Sequence, residues 1–231
     1  INQLVKLIGW LNYMVKTPSH PVVTAAEAET TREKIKAAAT EIFLEKGYAA
    51  SRMQEIADRA GANKAMIFYY FRSKDALFEA IIHESFMEMF HLFSSFLEVE
   101  DMPIEQLIPR LVHLHLQFLS EHPHLPKMMA RELHSGNPIP QQVLAQMIDG
   151  NGRQNIRRLQ DKVQQAMQQG RIRKMDAKHV LWNIIALNLF NFIAEPVLST
   201  IFPEEYKNRA QLMAKREKAI VEMILYGLLP R

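Results

Sequence analysis

The sequence predicts an all-α protein, and two features carry that prediction. Residue types that favour helices dominate the chain of 231 residues, which contains only 8 glycines. Apolar residues also recur at helical spacing, and the first long stripe consists of Ile35, Ala38, Ala39, Ile42 and Phe43. We expect a small N-terminal domain of three helices, followed by a larger helical C-terminal domain.

The amino-acid composition limits which binding partners and which kinds of reactive or metal-binding site the protein can have. A formal net charge of +3 permits a nucleic-acid partner without demanding one. The chain has no cysteine, which excludes disulfides, thiolate metal sites and cysteine nucleophiles, and which suits a reducing cytoplasm. No stretch reaches the roughly 20 apolar residues that a membrane-spanning helix needs. We therefore expect a cytoplasmic protein without a membrane partner.

Residues 1–29 form a separate segment, which we expect to be a flexible arm. Apolar residues between Leu4 and Val15 could line one face of a short amphipathic helix, and a proline-containing segment, 17–23, follows it. A helix that packs on a partner subunit is the alternative. A signal peptide is disfavoured, because no convincing cleavage site follows the apolar patch.

The next segment contains start and stop signals for two helices. Thr30 and Glu33 fit a capping box, so the first helix should begin near Thr30 or Thr31 and end at Gly47. Ser51 and Gln54 fit a second capping box, which predicts that the second helix starts at Ser51.

A helix-turn-helix is predicted at about residues 52–71. Gly61 should end the second helix, and Asn63 should cap a third helix that runs to about Tyr70. Two helices joined by a short turn containing glycine form this motif. Ser73 should cap a fourth helix that continues to about Leu97.

This stretch resembles a known family. Residues 31–80 resemble the DNA-binding domain of the tetracycline-repressor (TetR) family of bacterial transcription regulators. The resemblance rests on Ala39, Phe43, Gly47, Ile56, Ala57, Gly61, Lys64, Ile67, Tyr69, Phe71, Lys74 and Leu77. It implies a DNA-binding domain at 30–78 and a ligand-binding and dimerisation domain at 79–231. Phe68 departs from the pattern, because the family usually has a phosphate-contacting tyrosine there.

The third helix would read base edges in the major groove with its N-terminal residues. Lys64 can reach guanine acceptors or a phosphate, Ala65 permits close approach, and Met66 could contact a thymine methyl group. Phosphate contacts would position the helix without reading sequence. The candidates for these contacts, some of which could also reach one base, are Tyr69, Tyr70, Lys74, Arg52 and Gln54.

The C-terminal part is predicted to contain further long helices, including 104–121, 177–194 and 204–228. The helix at 177–194 is apolar on several faces, so it should be buried. We expect the last two helices to pair two subunits, although they could instead build the core of one chain. The candidate interface residues are Leu187, Phe190, Leu212, Ile220, Met223 and Ile224.

The resemblance also implies a pocket for a small molecule in this domain. The candidate lining residues are Phe118, Met128, Met129, Trp182, Asn188 and Phe192, although the ordinary core is the favoured place for each of them taken singly. The predicted function is a repressor that leaves a near-palindromic operator when a small apolar effector binds. The alternative is a dimeric architectural DNA-binding protein without an effector.

Metal, cofactor and enzyme functions are not expected. The histidines at 113, 115, 122 and 124 come in pairs two residues apart, and such positions point to different faces of a helix. No arrangement typical of a catalytic triad, a carboxylate pair or a phosphate-binding loop stands out in the sequence.

Overall fold

The computed structural model describes residues 25–97 and 102–229, and within them the chain is helical, without a strand. The predicted all-α class is therefore confirmed. The α-helices are α1 (Ala25–Lys46), α2 (Met53–Ala60), α3 (Lys64–Phe71), α4 (Lys74–Leu97), α5 (Ile104–Glu121), α6 (His124–His134), α7 (Ile139–Met147), α8 (Arg153–Gln168), α9 (Ala177–Ile193), α10 (Glu195–Ile201), α11 (Pro203–Tyr206) and α12 (Arg209–Leu228). A single π-helical turn, Ile148–Gly152, joins α7 to α8.

The first three helices form a small unit around a shared apolar core. Ile42 and Phe43 of α1, Ile56 of α2 and Ile67 of α3 are all essentially inaccessible to solvent. The expected turn at Gly61 is confirmed by its left-handed backbone (φ +63°), which glycine adopts without a steric penalty. The core thus fixes the orientation of α3 on α1 and α2.

Two predicted helix starts are wrong. The first helix begins at Ala25, so Thr30 lies inside it and does not cap it. The second begins at Met53, because the hydroxyl of Ser51 donates back to the carbonyl of Gly47 at 2.5 Å and does not cap a helix. The arm predicted at 1–29 lies mostly outside the described residues.

The C-terminal helices pack around α5, most of whose apolar residues are buried. α5 contacts α4, α8, α9 and α12, while α4 also packs against α7 and α8. Because α4 runs without interruption from Lys74 to Leu97, it belongs to both the small unit and the bundle. The domain boundary predicted at residue 78 falls inside this helix and stays a prediction.

Two expectations about the last helices need correction. α9 is not buried all round, since Trp182 is 61% exposed and Phe190 is 60% exposed. The helix expected at 204–228 is broken at residues 207–208, where the side chain of Asn208 caps α12 by accepting from the N–H of Gln211 at 3.0 Å.

The part of the chain that the structure describes has one bent pair of helices whose combined length and composition resemble a membrane span. Among the described residues no single helix is long and apolar enough to cross a bilayer. α9 and α10 meet that requirement only when they are taken together, and they are bent by 71° at their junction.

Candidate nucleic-acid interface, domain junction and cavities

The short helix α3 presents one face to solvent and the other to the core. Asn63 caps it as predicted, because its Oδ1 accepts from the N–H of Met66 at 2.8 Å. Ile67 and Phe71 anchor its inner face. This leaves Lys64 and Ala65 exposed at the N-terminal end, the end that a major-groove reading helix directs toward base edges.

The aromatic residues of α3 are divided between the two faces. Tyr69 is 81% exposed, whereas Tyr70 is half-buried and its ring lies 5.2 Å from that of Tyr69. Met66 is also half-buried. Phe68 is 42% exposed, and the ammonium of Lys64 lies 5.9 Å from its ring centroid. The candidates Lys64, Ala65 and Tyr69 therefore share solvent access on one short helix.

Arg52 and Gln54 are exposed at the start of α2, the helix that precedes the turn. The backbone N–H of Arg52 donates to the carboxylate of Glu55 at 3.3 Å, which replaces the predicted cap. The amide of Gln54 donates to Asp58 at 2.8 Å. A contact of Gln54 with DNA would have to compete with this bond.

Lys74 differs from the other candidate DNA contacts, because its ammonium group already has hydrogen-bond partners within the protein. The Nζ donates to the carbonyls of Tyr48 at 2.8 Å and Ser51 at 3.1 Å, and it lies 4.3 Å from the Tyr48 ring centroid. Lys74 thus ties the start of α4 to the segment between α1 and α2. Its phosphate contact stays a prediction.

Arg72 is an exposed cation that the sequence reasoning did not single out. It follows α3 with a φ of +61°, the only non-glycine positive φ among the described residues. Such a conformation is strained for a side-chain-bearing residue, and the surrounding structure must enforce it. Backbone bonds bracket this turn, since the N–H of Arg72 donates to the carbonyl of Phe68 at 2.9 Å and the N–H of Ser73 donates to the carbonyl of Phe71 at 2.6 Å. Ser73 then caps α4, because its Oγ accepts from the N–H of Ala76 at 3.0 Å.

The junction between the small unit and the bundle lies at the C-terminal end of α1. Arg131 of α6 donates to the carbonyls of Leu44 at 3.0 Å and Glu45 at 3.5 Å. Glu132, which is only 3% exposed, accepts from the backbone N–H of Tyr48 at 2.9 Å. We call Arg131 and Glu132 the α6 clamp.

The α6 clamp depends on a glycine. Gly47 has a φ of +81°, and a Cβ atom built on it would lie 2.9 Å from Nε of Arg131. Glycine therefore meets both a backbone requirement and a steric one at this position. The second oxygen of Glu132 accepts from the amide of Asn137 at 2.9 Å, so both carboxylate oxygens have a partner.

An apolar cavity that is partly open to solvent lies between α4, α5, α8 and α9. We call it the inner chamber, and its volume is about 130 Å³. Its walls are formed by Met89, Phe90, Phe93, Leu111, His115, Asn155, Ile156, Leu159, Leu181, Ile184 and Ile185. The chamber is therefore suited to an apolar group, with few polar atoms at its edge.

His115 is the titratable residue of the inner chamber. It is 5% exposed, and burial lowers the pKa of His115 from 6.5 to about 4. The amide of Asn188 donates to Nδ1 of His115 at 3.2 Å and to the carbonyl of Val112 at 3.2 Å. An imidazole that accepts at Nδ1 and stays neutral carries its proton on Nε2, so His115 is a neutral donor.

A larger and more polar cavity adjoins the inner chamber. We call it the outer chamber; its volume is about 540 Å³. It lies between α4 and the π-turn region, and it is lined by His83, Met87, Phe90, His91, Ser94, Gln146, Met147, Gly152, Gln154, Asn155 and Arg158. Phe90 and Asn155 line both chambers.

The structure does not bring the six predicted pocket residues together. Phe118 and Phe192 are buried in the core, Trp182 is on the surface, and none of the six lines either chamber. Asn188 comes nearest, through its bond to His115. Met129 is half-buried, and Met128 lines a separate crevice beside Arg131. The periodicity of apolar residues in the sequence indicated which residues are buried, but not which of them line a cavity.

The predicted interface residues are also divided by the structure. Leu212, Ile220 and Ile224 pack inside the single chain, which leaves little of their surface for a partner to contact. Leu187 is half-buried, while Phe190 and Met223 are exposed. Further exposed apolar side chains, which the sequence pattern did not name as interface residues, lie on the last four helices and the turn between them, namely Trp182, Ile185, Ile193, Val197, Ile201, Phe202 and Tyr226.

One group of side chains has the spacing of metal ligands. Ligand atoms of Glu88, Glu121 and His122 all lie within 4.8 Å of one another. Nε2 of His122 is 3.1 Å from the Glu88 carboxylate, and both acidic residues are exposed. The bond between His122 and Glu88 links two of the three groups, and exposed acidic groups commonly lie this close together without a metal ion.

Two family models match the chain. Residues 35–81 match the model described as bacterial regulatory proteins of the tetR family. Residues 103–224, about half of the chain, match the tetracyclin repressor-like C-terminal domain. The chain belongs to the TetR family. The resemblance of residues 31–80 is thereby confirmed, and it extends to the C-terminal bundle.

NicS and RutR, two curated relatives of the chain, are transcription regulators. The chain is 32% identical over 121 residues to the transcriptional repressor NicS of Pseudomonas putida, a match that covers 49% of this chain and 54% of NicS. The match to the regulator RutR of Escherichia coli K12 is 24% identical, and covers 67% of this chain and 70% of RutR. The chain thus spans about half the length of NicS.

Solved structures share the overall fold. The regulator FadR from Bacillus subtilis, determined in complex with stearoyl-CoA, has a TM-score of 0.62 at 19% identity, covering 84% of this chain and 98% of that chain. The TetR family regulator PfmR from Thermus thermophilus has a TM-score of 0.63 at 20% identity, covering 85% of this chain and 99% of that chain. At this identity the likeness concerns the fold.

Replacing Glu132 by alanine should weaken the domain junction. The substitution removes the acceptor of the Tyr48 N–H and of the Asn137 amide, and unsatisfied buried donors cost about 1–3 kcal/mol. We expect the free energy of unfolding, measured in urea, to fall by about that amount. Glu121→Ala, at an exposed position, is the control. Equal effects of the two substitutions would contradict the role of the α6 clamp.

The folded protein should lose stability as the pH falls from 6.5 toward 4. The unfolded chain binds a proton at His115 near pH 6.5, whereas the folded chain binds it near pH 4. Acid therefore favours the unfolded state across this window, by up to about 3 kcal/mol. Urea unfolding against pH should show a shallower dependence for His115→Gln, while His179→Gln, at an exposed histidine, serves as control. An NMR titration giving His115 a pKa near 6.5 would refute this.

Proposed function

We propose that the chain is a dimeric DNA-binding repressor that leaves its operator when a small molecule binds the C-terminal bundle. The observation that carries this proposal is the exposure of Lys64, Ala65 and Tyr69 on α3, a helix held rigidly by Ile67 and Phe71. A reading helix needs this combination, because side chains that enter the groove must be accessible while their backbone is fixed.

The proposed phosphate contacts surround α3. Tyr69 offers a hydroxyl, and Arg72 adds an exposed cation at the C-terminal end of the helix. Arg52 extends the basic surface onto α2. These groups would set the position of the helix on the duplex and make binding sensitive to salt.

The apolar surface of the last helices supports a dimer. Large apolar side chains remain exposed between the start of α9 and the end of α12, among them Trp182, Phe190, Met223 and Tyr226. An exposed apolar surface of this kind is typical of a protein–protein interface. A twofold dimer would present two copies of α3 roughly one helical turn, ~34 Å, apart and favour a near-palindromic site.

The α6 clamp offers a route from the bundle to the DNA-binding unit. α6 packs against α9, which lines the inner chamber, and it holds the end of α1 through Arg131 and Glu132. A ligand that shifts α9 would also move α6. A second route is α4, which would transmit a movement at the chambers to Lys74 at its N-terminal end. The ligand must bind one arrangement more tightly than the other for this coupling to work.

An architectural DNA-binding protein without an effector is not favoured. The two adjoining chambers in the bundle give a ligand a place to bind, and relatives such as NicS are named as transcriptional repressors. We also propose that the protein acts in the cytoplasm, where a bacterial operator is accessible.

Removing the Lys64 ammonium and the Tyr69 hydroxyl together should weaken DNA binding. We expect Lys64→Ala with Tyr69→Phe to reduce the free energy of DNA binding by about 1–3 kcal/mol through loss of the base contact. The slope of log affinity against log salt concentration should fall by about one for each lost phosphate contact. Fluorescence anisotropy with a duplex selected by the wild-type protein from a random pool measures both. Lys174→Ala, on the loop before α9, is the control. Unchanged affinity of the double variant would contradict the assignment of α3.

Charges placed on the exposed apolar face should separate the subunits. We expect Met223→Glu with Tyr226→Glu to convert a dimer to a monomer, because burying four carboxylates in one interface is costly. Sedimentation velocity measures the state, and the affinity for a palindromic duplex should fall with it. Gln164→Glu, on the exposed side of α8, should leave the dimer intact. A wild-type protein that is monomeric at micromolar concentration would refute the proposal.

A further inference from the structure

The inner and outer chambers have different chemistry on either side of a shared wall. Phe90 of α4 and Asn155 of α8 contribute to both chambers. Asn155 is fixed by a hydrogen bond from its amide to the hydroxyl of Ser94 at 2.5 Å. A molecule that extends past these two side chains would therefore place one end among apolar groups and the other among polar ones.

The size of the inner chamber limits the apolar end. Its volume of about 130 Å³ is close to that of the roughly 150 Å³ engineered apolar cavity that binds benzene. A single six-membered ring or a short alkyl chain fits such a space, which is too small to enclose an eighteen-carbon chain. His115 adds no charge there, because burial holds its pKa near 4 and leaves it neutral at physiological pH.

The outer chamber is suited to an anionic end. Among the residues that the structure describes, its lining contains no aspartate or glutamate, while it contains the guanidinium of Arg158, two histidines and the side-chain amides of Gln146, Gln154 and Asn155. Arginine binds carboxylates through directed, charge-assisted hydrogen bonds. A cationic head would find no counter-charge among these residues.

The wall of the outer chamber also contains an unusual backbone element. The π-turn Ile148–Gly152 ends at Gly152, and a Cβ atom at that position would lie 3.1 Å from the Phe90 ring and 3.0 Å from the carbonyl of Met147. π-helical turns within helices occur frequently at functional sites. Here the turn lets Phe90 lie close to the backbone at the boundary between the chambers.

We propose that the two chambers form one binding site for a small organic anion, with a single ring or short alkyl chain in the inner chamber and a carboxylate in the outer chamber. This inference rests on the proposed function as a ligand-responsive regulator and specifies the class of its effector. Arg158 binds the carboxylate, and Leu181, Ile184 and Leu159 enclose the apolar part.

Calorimetry with the full chain tests the class of ligand. The probes are phenylacetate, hexanoate, the uncharged 2-phenylethanol and stearate. We expect phenylacetate and hexanoate to bind, and 2-phenylethanol to bind at least about tenfold more weakly, a loss typical of one charge-assisted hydrogen bond. Equal affinity for the uncharged probe would overturn the anionic head, and tighter binding of stearate would overturn the size limit.

Arg158→Gln tests the head-group contact. Phenylacetate should bind about tenfold more weakly to this variant, while 2-phenylethanol should change by less than about twofold. Arg153→Gln is the matched control, because Arg153 is on the same helix, is exposed and pairs with Asp149 outside the chambers. A similar loss in both variants, or no loss in Arg158→Gln, would contradict the assignment.

Leu181→Phe tests the inner chamber by filling it. We expect it to weaken phenylacetate binding at least about tenfold, whereas Leu189→Phe, at a half-buried position of α9 outside the chamber, should not. Ile185→Phe is a second filling variant if Leu181→Phe unfolds. Unchanged affinity in a folded filling variant would show that the ring binds elsewhere.

A parallel DNA titration separates this inference from the proposed function. If the wild-type protein binds its selected duplex and no carboxylate probe binds, the ligand class is wrong while the DNA-binding function stands. If the wild-type protein binds phenylacetate but no duplex, the proposed function fails and the ligand site stands. Release of the duplex by phenylacetate, lost in Arg158→Gln, would support both.

Discussion

The packing of the end of α1 is the constraint on which the rest of the structure depends. The backbone at Gly47 turns in a conformation that only glycine adopts easily, and it brings Tyr48 between the two parts of the protein. There the N–H of Tyr48 is bound by Glu132 and its carbonyl by Lys74. The Lys74 bond holds Tyr48 inside the DNA-binding unit, whereas Glu132 belongs to α6 of the bundle. The DNA-binding unit therefore cannot rotate on the bundle without breaking the bond between Tyr48 and Glu132.

This constraint gives α3 a defined position relative to the bundle. α3 is anchored by two buried side chains, and the strained backbone of Arg72 links it directly to α4. α4 then forms walls of both chambers, through Phe90 and its neighbours. α4 therefore connects the chambers to α3 as one continuous helix. A movement of α4 at the chambers can be transmitted along it to α3.

The bundle has two features that its own core does not require. Its interior leaves an apolar space beside a polar one, and its last helices leave large apolar side chains, including Trp182 and Tyr226, in solvent. Close packing normally removes such spaces, and folding normally buries such side chains. Both features are accounted for if the apolar space holds part of a ligand and the exposed apolar surface packs against a second copy of the chain.

The sequence by itself determined the all-α class, the helix-turn-helix and the cap at Asn63, because propensity and capping act within a few residues. Only the tertiary structure decided which apolar residues face a cavity, a partner or the core. Helical periodicity identifies an apolar stripe but not what lies opposite it. Phe192 and Trp182 illustrate this, since both were predicted to line a pocket, yet packing buries the first and exposes the second.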